Sequence, residues 1–169
     1  MLDKYRMTGL RTFALSIVIT GLTLAAPQQA PPMDLRFDRL ASALTLLNDA
    51  DRKIVEQAAQ LIREGENVGA LARLSTLTNS NPNNSSLRIL IAFAQLKLGN
   101  LTGALDEAKK AHEAPNGNSY RCYFLAKIAF LTGDKVTCKR ELNHVKNAGD
   151  MPSEARQLES DLKHSKAKS

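Results

Sequence analysis

The sequence predicts an all-α fold, an α-solenoid of helix-turn-helix hairpins with an N-terminal helix and a C-terminal capping helix. Three observations carry this. Gly65, Gly99 and Gly133 recur at one constant interval, each followed by a polar residue, Glu66, Asn100 or Asp134. Small residues recur with them: Ala58, Ala92 and Ala126 lie seven residues before each Gly, and Ala70, Ala104 and Cys138 lie five after it. Finally, Asn81-Pro82-Asn83-Asn84 and Ala114-Pro115-Asn116-Gly117-Asn118 interrupt the pattern where one hairpin should hand over to the next. A composition of 43% hydrophobic and 24% charged residues suits one ordered domain.

The chain begins with an address. Basic residues up to Arg11 precede Thr12–Ala26, a charge-free stretch that ends in small residues, which is the pattern of a secretory signal peptide cleaved after Ala25. Fifteen helical residues reach about 22 Å, short of the roughly 30 Å hydrocarbon core, so residues 1–25 are expected to be removed rather than to span a membrane. A short retained anchor is the alternative, and it would be the chain's membrane contact. The expected location is outside the cytoplasm: periplasmic, envelope-associated or secreted. Residues 26–33 are rich in Pro, Gln and Ala and read as a flexible linker.

Residues 34–50 are expected to form an N-terminal helix or half repeat, capped by Asp34, with Leu40, Ala43, Leu44 and Leu47 on one face. Units then follow at 51–84, 85–118 and 119–152. In each, glycine accepts the left-handed turn conformation and the next residue caps the second helix. Close helix crossing needs small side chains, so the Ala and Cys positions are the expected crossing points. Leu61, Ile62, Leu96, Leu98, Phe130 and Leu131 on first helices, with Leu74, Ala108 and Leu142 on second helices, are the expected core. Residues 153–164, with Ala155, Leu158 and Leu162 on one side, should cap the open end, and 165–169 should fray.

A 34-residue helix-turn-helix unit with these small and large positions resembles the tetratricopeptide repeat, TPR. The resemblance covers the three units and is degenerate. The family's Trp position holds Ile54, Arg88 and Cys122, and its Tyr position holds Leu61, Gln95 and Ala129; Leu125-Ala126, Ala104, Ala108, Ala111, Ala58, Ala70 and Pro82 keep the pattern. The resemblance implies that first helices line a concave groove for a peptide. Matching places give Ile89, Phe93 and Leu96 in the second unit and Tyr120, Tyr123, Lys127 and Phe130 in the third as the partner-binding groove. Some family members clamp a terminal carboxylate with Lys and Asn, but here those places hold Val55, Ala59, Leu90, Tyr120 and Phe124.

The net charge of +6 includes +2 from Lys4, Arg6 and Arg11 less Asp3, and the remaining basic residues are scattered among acidic ones. A nucleic-acid partner is therefore not expected, since counterion displacement needs basic side chains gathered on one face. His112, His144 and His164 have no second His or Cys at metal-ligand spacing and read as solvated surface residues. No phosphate-binding GxxxxGK[ST] string occurs, and no catalytic residue, metal or cofactor is expected. Cys122 and Cys138 sit eleven residues before and five after Gly133. Their offset of about 9 Å along the helices, added to an interhelical distance of about 8–10 Å, exceeds the roughly 7 Å a disulfide tolerates. Two unlinked structural thiols are expected.

Four of the eight aromatic residues, Tyr120, Tyr123, Phe124 and Phe130, fall within eleven positions of one helix, which must be buried on all sides or present an apolar face to something else. The expected function is a non-enzymatic interaction scaffold that holds a peptide or protein partner. Two other readings stand beside it: a structural homo-oligomer subunit with the aromatic helix buried, and an enzyme with a site assembled from dispersed residues, which the sequence favours least.

Overall fold

The computed structural model describes residues 35–115, 119–149 and 151–166. The expected signal peptide, the linker and Asp34 lie outside the described residues. Eight helices and no strand occur among those described: α1 (Phe37–Leu44), α2 (Asp49–Glu64), α3 (Asn67–Ser75), α4 (Ser85–Lys97), α5 (Leu101–Glu113), α6 (Ser119–Leu131), α7 (Lys135–Asn147) and α8 (Ser153–Lys166). None is long and apolar enough to cross a membrane.

The constant spacing of the glycines appears directly in the helix bounds. Helices α4 and α6 start at Ser85 and Ser119, α5 and α7 at Leu101 and Lys135, and all four run for 13 residues. Their turns are built alike. Gly65, Gly99 and Gly133 take φ of 84°, 79° and 83°, a left-handed conformation in which a Cβ would be strained. At each, the glycine N–H donates three residues back, to Ile62, Leu96 or Phe130, and the following N–H donates to Leu61, Gln95 or Ala129. Orphan carbonyls at three helix ends are thus satisfied by one recurring motif. Asn100 and Asp134 then cap α5 and α7 by accepting from Gly103 N and Thr137 N at 3.0 Å. Glu66, expected to do the same, makes no side-chain cap bond.

Consecutive helices pack in pairs, α2 with α3, α4 with α5 and α6 with α7, and the pairs stack through α3 on α4 and α5 on α6. The six expected crossing residues, Ala58, Ala92, Ala126, Ala70, Ala104 and Cys138, are all 0% exposed. Side chains this small let the backbones of each hairpin approach closely. Leu74, Ala108, Leu142, Ile62 and Leu96 are also buried, while Leu61, Phe130 and Leu131 are partly so. Leu98 departs from expectation: it is 44% exposed, because it is the C-cap beyond the last turn of α4 rather than part of its inner face.

The two ends of the stack differ from the repeats. Helix α1 is shorter than predicted and ends before Leu47, which is buried from the following turn. Helix α8 buries Ala155, Leu158 and Leu162 against α6 and α7. It begins at Ser153, one repeat length after Ser119, and so stands where the first helix of a further hairpin would stand. Helix α3 is nine residues long, because the chain leaves the helix after Ser75 and turns through residues 76–80.

Replacing Ala126 with Leu should overpack the α6–α7 crossing and lower stability by about 1–3 kcal/mol, measured by denaturant unfolding followed through helical circular dichroism. A variant as stable as the parent would show that this position does not control the crossing.

Candidate functional site

The seven residues predicted to line a groove divide between α4 (Ile89, Phe93, Leu96) and α6 (Tyr120, Tyr123, Lys127, Phe130). The first five are only 2–7% exposed and belong to the core, while Lys127 and Phe130 are half-buried. Helix α4 is buried nearly all round, Arg88 and Gln95 excepted among Ser85–Leu96, since α1, α2, α3, α5 and α6 all pack on it. The rings of Tyr120 and Tyr123 lie 5.8 Å apart, and those of Tyr120 and Phe124 6.3 Å apart. The aromatic stripe of α6 is buried within one chain, so its burial requires no second copy.

The residues just before α1 close this surface. The Arg36 backbone N–H donates to Tyr120 Oη at 3.1 Å, and its guanidinium donates to Glu154 Oε1 at 3.0 Å and to both oxygens of Asp38. Ser86 Oγ, itself buried, donates to the carbonyl of Leu40 at 2.8 Å. The start of α1 and the start of α8 therefore meet over Tyr120. Asp38 beside Arg36 is held below the usual carboxylate range by that guanidinium. Glu154 is likewise lowered, first by its own backbone N–H and then by Ser153 and Arg36, and burial pushes the Tyr120 phenol up.

A second polar cluster lies between the second and third hairpins. The Glu141 side chain on α7 is 0% exposed, and its Oε1 accepts from Arg140 Nε at 2.8 Å. Its Oε2 lies 3.4 Å from His112 Nδ1 on α5 and 3.2 Å from His144 Nδ1 one turn along α7. The two imidazoles stack nearly parallel, 6.1 Å apart and tilted by 11°. Cys122 Sγ on α6 approaches His112 Nδ1 at 3.7 Å. His144 is exposed at the surface, as expected, whereas His112 is only partly so, and the two meet at a buried carboxylate that the sequence did not place beside them. They lie far apart in sequence, and only the stacking of α5 against the third hairpin joins them. His164 does stay on the exposed face of α8, with Nδ1 2.8 Å from the carbonyl of Ser160.

Cys122 and Cys138 are unlinked, as expected. Cys138 is a structural thiol: it is fully buried at a crossing, and burial followed by the Asp134 charge pushes its pKa up to about 11. Cys122 is half-buried and also raised, by burial and then by Glu141. A nucleophilic Cys–His–Glu relay would need a lowered thiol and opposite ring nitrogens for the two partners. Here the thiol and the carboxylate approach the same Nδ1, so the groups converge on a point rather than line up. Scanned against protein-family models and compared with curated proteins, the chain matches none.

The Arg36 contacts should respond to acid in one direction. Asp38 and Glu154 have depressed folded-state pKa values, so their contribution is present above the unfolded values near about pH 4 and is lost as pH falls through the folded ones. Arg36→Ala should therefore lower the thermal midpoint near pH 6, and the difference between parent and variant should shrink below about pH 4. A difference constant with pH would mean that the ion pairs contribute nothing to closure.

Proposed function

We propose that the chain is a non-enzymatic interaction scaffold of the TPR kind, acting after export, whose partner-receiving surface is occupied in the free protein by its own α1. The single observation that supports this is where α1 lies: an eight-residue helix with one apolar side is packed against α4, where the resemblance would put a bound peptide. A surface shaped to hold an amphipathic helix in cis is chemically suited to hold one of similar pattern in trans.

The attachment of α1 is slight compared with the hairpin crossings. It rests on buried Leu40, partly buried Leu35 and Leu44, the Ser86 hydroxyl and the partly exposed contacts of Arg36. Exposed ion pairs of this type are screened by solvent and add little to stability. A partner helix with comparable apolar residues and stronger end contacts would displace it, and apparent affinity would be reduced by the fraction of chains that are closed. The export reading rests on the Thr12–Ala26 segment alone.

A labelled peptide of residues 35–47 offers a direct test, titrated against the parent chain and against an Arg36→Ala, Leu40→Asp double variant. The opened variant should bind it saturably and at least about tenfold more tightly than the parent. If the variant keeps its far-UV helicity and takes up no peptide, α1 is ordinary core and the receiving surface must be sought elsewhere.

A further inference from the structure

We infer that His112, Glu141 and His144 form a binding site for one divalent transition-metal ion of the zinc class, joining the second hairpin to the third. The nitrogen and oxygen atoms concerned all lie within 4.8 Å of one another. The two separations to Glu141 Oε2, 3.4 and 3.2 Å, match the edge of a tetrahedron, which is roughly 3.3 Å for ligands about 2.0–2.1 Å from zinc. Two imidazoles and one carboxylate are a common donor set for such ions, and they leave a coordination position open.

The repeat supplies an internal control. Moving one repeat back from Glu141, His144 and Cys122 gives Glu107, Lys110 and Arg88. In the second hairpin Glu107 is also buried, and its charge is met by two permanent cations, Arg88 at 2.9 Å and Lys110 at 2.8 Å. In the third hairpin the glutamate is kept and buried more deeply, but both cations are gone. A thiol replaces the guanidinium, an imidazole replaces the ammonium, and a second imidazole enters from α5. Among the described residues Arg140, more than half exposed, is the permanent cation paired with Glu141, and it engages Oε1.

A buried carboxylate is costly without compensating charge. The third hairpin thus keeps one permanent cation on Glu141, Arg140 at Oε1, where Glu107 has two, and sets two imidazoles around Oε2. A divalent cation would supply the charge that Arg88 and Lys110 supply to Glu107. It would also fasten α5 to α7 by coordination, a link between hairpins that the Arg88–Glu107 salt bridge, joining α4 to α5 within one hairpin, does not make.

The test is calorimetric titration of the full chain, without a polyhistidine tag, with zinc and separately with cobalt(II), alongside thermal unfolding. The expected result is one saturable site per chain, a raised thermal midpoint with excess zinc, and cobalt(II) absorption typical of low coordination. His144→Lys copies the second hairpin's arrangement and should keep the fold while weakening binding at least about tenfold. Glu141→Gln should weaken it similarly, and His164→Ala should leave it unchanged. Absence of saturable binding by the parent, or undiminished binding by folded His144→Lys, would overturn the assignment and leave the histidines as hydrogen-bonding partners of Glu141.

Discussion

Everything in this chain depends on how closely two helices can approach at three places. A 34-residue hairpin has little apolar material of its own; its two helices gain a common core only if their backbones meet with almost nothing between them. Ala58 with Ala70, Ala92 with Ala104, and Ala126 with Cys138 provide that absence of bulk. The left-handed glycine at each turn sets the angle at which the second helix returns. Once both conditions hold, larger residues such as Leu74, Leu90, Phe124 and Ile128 are fully buried, and stacked hairpins share one core.

Much of this architecture was legible because it rests on short-range rules that repeat. Gly65, Gly99 and Gly133 announce their turns three times, so one accidental glycine could not mislead, and the alanines confirm the register independently. The Leu98 and Glu66 expectations failed for a related reason: exposure and capping at a helix end depend on one turn of geometry, which alignment of whole repeats averages away. The bounds of α1 were also poorly legible, since that helix does not belong to the repeat and is held by contacts with α4.

The polar cluster shows a different limit. Glu141 and His144 stand three residues apart on one helix face, and comparison with Glu107 and Lys110 would have flagged the loss of a cation. His112 could not have been found in this way. It lies near the end of the preceding unit, and only the stacking of α5 against the third hairpin brings it to Glu141. The burial of α6 was half legible: its aromatic stripe called for a cover, but nothing in its spacing said that the chain itself would supply one.

A stack of hairpins is ordinarily a linear object with two loose ends, from which fraying spreads inward. Arg36 changes that connectivity. By touching Tyr120 and Glu154, 84 and 118 residues further along, it ties the entry of the stack to its exit. The array acquires the topology of a ring closed by side chains. The link is made of partly exposed contacts, so it couples the two ends without locking them. A sequence assembled mainly from local contacts thereby carries, at Arg36, two of very long range.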